Sequence, residues 1–145
     1  MKKSVMALLL LLGSLGAWAA GPVLEVWKSP YCGCCGKWVE HMQKAGFVAK
    51  VHEVQDVSAQ RKALGIPDSL GSCHTAKVGG YVLEGHVPAQ DVQRLLREKP
   101  KAVGLAVPGM PPASPGMDLP MTGDRSYETL LVQSDGKTRR FALHE

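Results

Sequence analysis

The sequence predicts one α/β domain: a mixed sheet with flanking helices, a long Pro/Gly/Met loop and a C-terminal β-hairpin. Three observations carry this. A short β-rich run passes through a tight turn directly into an amphipathic helical stretch, and strand and helix patterns then alternate. An aperiodic segment rich in proline, glycine and methionine follows. The chain then ends in two β-rich runs joined by Asp135-Gly136. At 145 residues the chain has room for one compact domain and too little for two.

The elements follow in order. Val23 to Trp27 reads as a short buried strand, broken by Ser29-Pro30-Tyr31. From Gly33 the pattern is helical. Cys35, Trp38, Val39 and Met42 share one face, and Lys37, Glu40, His41 and Lys44 the other, until Gly46 stops it. Phe47 to Val54 is a second strand, parallel to the first through the helical crossover. Ser58 caps a short helix that runs to Leu64 and is closed by Gly65 and Pro67. Ser69 to Cys73 is a turn, and Thr75 to Leu83 a strand broken at Gly79-Gly80. Pro88 opens a helix over Ala89 to Glu98, with Val92, Leu95 and Leu96 inward. Ala102 to Pro120 has no period and reads as a long functional loop. Tyr127 to Gln133 and Thr138 to Leu143 form the hairpin.

Residues 1–19 have the form of a secretory signal. Lys2 and Lys3 precede the unbroken apolar run Val5 to Leu12, and Ala17-Trp18-Ala19 offers a cleavage site. The run falls well short of the ~20 apolar residues that span a bilayer. The expectation is a cleaved leader, a single domain over 20–145 and a periplasmic location. Removing Lys2 and Lys3 lowers the net charge from +4 to +2, and the longest basic run left is Arg139-Arg140. Neither nucleic acid nor an anionic membrane is indicated as a partner.

Three of the four cysteines fall in Cys32-Gly33-Cys34-Cys35. Cys32 and Cys35 have the spacing of a redox pair at a helix start, where unpaired backbone N–H groups favour thiolates. A first strand feeding such a pair is the arrangement of a thioredoxin-like domain. Adjacent cysteines bridge only with strain, so Cys34 stays outside the pair. In that fold the loop before the third strand packs beside the pair, which brings Cys73 near. An exported thiol cluster needs a reason: a bound metal or a catalytic redox cycle. A 2+2 disulfide framework is the bland alternative, but no partition avoids pairing within the tight turn.

Four thiolates suit Zn(II), Cu(I) or an iron–sulfur cluster. Zinc sites commonly use two separate Cys-x-x-C knuckles. One crowded knuckle with a distant cysteine suits Cu(I), which accepts low coordination and bridging sulfur. Met110 and Met117, in the loop, are soft thioethers that can either ligate or plug the loop onto the core, as Met121 can. His86 lies at a strand-to-helix corner on the cysteine end of the sheet, and His74 follows Cys73. Both are candidate ligands. His41, His52 and His144 read as surface residues.

Tyr31-Cys-Gly-Cys-Cys-Gly-Lys-Trp38 resembles the signature of the CopG-type family, exported metal-binding proteins of bacterial copper resistance. Ser72-Cys-His-Thr-Ala76, Gly80-Tyr81, Glu84-Gly-His-Val-Pro-Ala89, Gly104 to Met110 and Ser114-Pro-Gly-Met117 are similar to that family's pattern in the same order. Pro112-Ala113 stands where the pattern has a smaller, glycine-containing link. The resemblance implies a thioredoxin-like fold with a cysteine-bridged multicopper site, on Cys32, Cys34, Cys35 and Cys73, and a copper or thiol redox role. The expected partners are copper ions and other periplasmic copper-handling proteins, with the chain a monomer. The competing function is a thiol–disulfide oxidoreductase in which Cys32 attacks and Cys35 resolves.

Overall fold

A computed structural model describes residues 20–117, 119–120 and 122–145; the leader assigned to residues 1–19, and Met121, lie outside these described residues. One seven-stranded mixed sheet organises the chain, in the order β2-β1-β3-β4-β5-β6-β7. Its strands are β1 (Val23–Lys28), β2 (Val48–Glu53), β3 (His74–Val78), β4 (Tyr81–Glu84), β5 (Gly104–Ala106), β6 (Tyr127–Val132) and β7 (Thr138–His144). The helices are α1 (Gly33–Lys44), α2 (Val57–Ala63) and α3 (Ala89–Glu98), with a 3-10 turn over Asp68–Leu70. No helix among the described residues is long and apolar enough to cross a membrane.

β1 and β2 are parallel, with Val23 opposite Val48, as the helical crossover requires. β3 then turns back antiparallel to β1. The expected third strand is two strands. The chain reverses at Gly79-Gly80, both at positive φ, and β4 pairs back on β3. β5 was hidden in the aperiodic loop. It is three residues long, buried on both faces and parallel to β4, so it has no alternation to betray it. The first turn of α2 is capped by Asp56 rather than Ser58: its carboxylate accepts the amides of Ser58 and Ala59. The terminal hairpin forms as expected, β6 against β7.

The alternation of the strands splits the buried side chains into two layers. Leu24, Val26, Leu83, Leu105, Leu131 and Phe141 face α1 and α3, where Trp38, Val39, Met42, Val92 and Leu95 complete the main core. Val82, Ala106 and Val132 face the other way and pack with Ile66, just past α2. That second layer is the smaller of the two, and Glu84, buried two residues after Val82 on β4, lies on the same face of the sheet.

Candidate metal centre

Cys32 is the N-cap of α1 in extended conformation, and no side chain caps the first turn. The helix therefore starts with unsatisfied N–H groups directed at the cysteine turn. Cys32 and Cys35 form a disulfide with Sγ atoms 2.04 Å apart, while Cys34 and Cys73 are free thiols. Cys34 Sγ lies 3.4 Å from Cys32 Sγ. Cys35 Sγ lies 3.6 Å from the Cys73 carbonyl oxygen. All four Sγ atoms lie within 4.8 Å of one another, so the distant cysteine does reach the knuckle.

A second group of donors shares Cys73: its Sγ, one ring nitrogen of His74 and one of His86 also lie within 4.8 Å of each other. His86 is fully buried, not a solvated loop residue. Its Nδ1 is 2.7 Å from the Pro115 carbonyl, which can only accept, so Nδ1 carries the hydrogen. In the neutral ring Nε2 then presents a lone pair, 3.0 Å from Cys73 Sγ. A backbone carbonyl holding the far nitrogen is the usual way a ligating histidine is oriented.

His74 is buried beneath this group. Its Nδ1 is 3.5 Å from Cys73 Sγ, and its ring packs on Trp38 with centroids 4.2 Å apart. Its Nε2 has no hydrogen-bond partner among the described residues. Burial, and then the neighbouring His86, lower the His74 pKa to about 3, so the ring stays neutral at any physiological pH. Burial, and then the charge of nearby Cys34, push the Cys73 thiol up to about 12. Cys73 thus stays protonated until something soft displaces the proton.

The Pro/Gly/Met loop closes the site from outside. A Cβ on Gly116 would meet the Trp38 amide nitrogen at 2.7 Å and the Cys34 carbonyl oxygen at 2.8 Å. Only glycine lets the loop lie this close to the cysteine turn, and its φ of +89° suits glycine as well. Trp38 Nε1 donates to Val87 O at 2.9 Å, tying α1 to the His86 corner. Met117 follows Gly116 and is half-buried; Met110 stands 51% exposed at the loop surface.

Of the three histidines expected at the surface, His52 alone is exposed, stacked on Trp27. His41 is half-buried, and its Nε2 accepts the Ala89 amide at the start of α3. His144 is largely buried against Asp91, 2.9 Å away. Sequence reading missed the buried pair Arg61–Glu84 beside the Cys73 turn, because a partner 23 residues distant leaves no local signal.

Residues 70–117 match the family described as "Protein of unknown function, DUF411". No curated protein matches the chain. Two solved structures do. "Copper resistance protein copG- Form 2" is 39% identical with a TM-score of 0.80, covering 86% of this chain and 99% of that one. "Copper resistance protein copG- Form 1" is 40% identical with a TM-score of 0.77, covering 84% and 96% respectively. With likeness of this level over nearly the whole fold, the chain belongs to the CopG-type family of copper resistance proteins.

Proposed function

We propose that this is an exported copper-binding protein. Residues 1–19 are removed on export, and residues 20–145 act as one domain in the periplasm. There it takes up more than one Cu(I) on Cys32, Cys34, Cys35 and Cys73. His86 serves as a nitrogen donor to the ion nearest Cys73. His74, Met110 and Met117 are auxiliary donors. The observation that carries this reading is the mutual approach of the four sulfurs within 4.8 Å. Sulfurs so crowded can each bridge two soft ions.

The disulfide sets a condition. Cys32 and Cys35 become thiolate ligands only after the bridge accepts two electrons. Loading therefore begins with a reduced pair.

Anaerobic Cu(I) titration of the reduced protein tests the reading. More than one copper per chain is expected. Cys34→Ser should lower that number while the Cys32–Cys35 bridge still forms. Loading should also release a proton from Cys73, whose thiol pKa is raised by burial and then by Cys34, so affinity should rise with pH and Cys73→Ser should release fewer protons. A wild-type stoichiometry of zero or one overturns the cluster.

A second reading has its own support in the closed Cys32–Cys35 bridge at a helix start. It is a thiol–disulfide oxidoreductase acting on proteins, in which Cys34 is idle. Reductase activity that survives Cys34→Ser and ignores copper would favour it.

A further inference from the structure

Helix α2 buries only one of its residues, and that residue is an arginine, Arg61. Burying a guanidinium gains little stability, because desolvation opposes the attraction of its partner. The partner is Glu84 on β4, which is fully buried. Arg61 Nε donates to Glu84 Oε1 at 2.8 Å. The same oxygen accepts the backbone N–H of Ser72 at 2.7 Å, and Oε2 accepts the Thr75 hydroxyl at 2.5 Å. Arg61 Nη2 then donates to the Ser72 carbonyl at 2.8 Å. One ion pair thus holds both backbone polar groups of the residue before Cys73.

The packing around this turn is equally committed. A Cβ on Gly71 would sit 2.8 Å from Arg61 Nη1, and one on Gly85 would sit 2.6 Å from Ser72 Cβ. The Ser72 hydroxyl donates to the Gly109 carbonyl, which joins the turn to the outer loop. Cys73 itself lies outside regular structure, one residue before β3 begins. Its place is therefore not set by the strand ladder.

We propose that Arg61 and Glu84 are positioning residues for the fourth sulfur: by clamping the Ser72 peptide groups they hold Cys73 Sγ within reach of Cys34 and of the bridged pair. The inference rests on the copper-binding reading for its purpose, but not for its geometry. A buried pair retained for placement rather than for stability has a signature. Replacing both partners by apolar groups of similar volume costs little for the ion pair itself, and otherwise only the hydrogen bonds to Ser72 and Thr75, while it frees the turn.

The experiment uses the chain with Cys32→Ser and Cys35→Ser, so that Cys34 and Cys73 are the only thiols. Diamide takes one hydrogen from each thiol as the Cys34–Cys73 bond forms, and is itself reduced to the hydrazine. The parent should close this bridge quickly. R61M/E84M should close it at least tenfold more slowly while remaining folded, at a melting temperature lowered by the Thr75 hydroxyl and the Ser72 peptide groups it leaves without partners. R61K, which keeps the charge but not the fork, should fall between. If the double variant does not fold, E84Q carries the same measurement. In the four-cysteine chain, R61M/E84M should load no more Cu(I) than Cys73→Ser does. Bridging at the parental rate overturns the positioning role, whatever the copper result. A parent that loads no copper, with bridging still slowed tenfold in the double variant, removes the copper reading and leaves the positioning intact.

Discussion

Glu84 and Asp91 are both buried carboxylates, on β4 and α3, and they grip different parts of the chain. Glu84 is bound to the backbone of an irregular turn, and with Arg61 it leaves the Ser72 peptide groups no freedom. Asp91 is bound to side chains on regular elements. Its Oδ2 accepts the Thr129 hydroxyl of β6 at 2.6 Å and pairs with His144 Nε2 of β7 at 2.9 Å. Tyr127 stacks on the His144 ring with centroids 4.6 Å apart. The β-ladder already sets where Thr129 and His144 sit. A network that grips elements placed by their own hydrogen bonds adds stability. One that grips a turn with no ladder of its own sets the position of the next atom, here a sulfur.

The sharpest way to break the comparison is Asp91→Ala. It removes the acceptor shared by the fully buried Thr129 hydroxyl and His144 Nε2, leaving them only each other, 3.1 Å apart. A loss of about 3 kcal/mol is expected, from the two hydrogen bonds to the buried Asp91 carboxyl. Urea unfolding measures it. Copper per chain should stay at the wild-type value. A drop in stoichiometry in the folded variant would mean that the two networks are not separate.

Gly116→Ala comes next, since it attacks the site from its other wall. The new methyl must displace either the Cys34 carbonyl or the outer loop, and the backbone must hold an alanine at φ +89°. Roughly 2 kcal/mol of stability should be lost. Here the metal readout should move as well: copper should leave the loaded protein faster, as a chelator competition would show. Unchanged release would make the loop a mere cover.

The same contrast explains what could be read from the chain. The cysteine turn, the β1-α1-β2 crossover and the terminal hairpin rest on local signals: a three-residue spacing, an amphipathic period, an Asp-Gly turn. They were legible, and the approach of Cys73 followed once the fold was named. β5 was not, because three residues buried on both sides show no period. Arg61 on a short polar helix and His144 at the end of a strand both look solvated in sequence. Each is buried by a partner far along the chain, 23 residues away for Arg61 and 53 for His144. Glu84 stands in the sequence only as the first residue of the Glu84-Gly-His-Val-Pro-Ala89 run, with nothing to mark it as buried. Buried charge is set by tertiary pairing, and periodicity carries no trace of it.

The smallest effect should come from Asp56→Ala, and it separates the helix from the pair it carries. Asp56 Oδ1 accepts the Ser58 hydroxyl at 2.5 Å and the amides of Ser58 and Ala59 at 2.9 and 3.3 Å. The Ser58 hydroxyl foremost, then these amides, hold the carboxyl below its usual value of 3.8. A depressed carboxyl stabilises the folded form above its unfolded pKa and loses that contribution as pH falls through the lower, folded value. Near neutral pH the cap is therefore fully engaged. The variant should speed hydrogen exchange at the Ser58 and Ala59 amides, and the wild type should do the same only in strong acid. The Cys34–Cys73 bridging rate should barely change, because Arg61 is held by Glu84 and the Ser72 carbonyl rather than by the first turn of α2. Bridging slowed as much as in R61M/E84M would shift the positioning role from the ion pair to the helix as a whole.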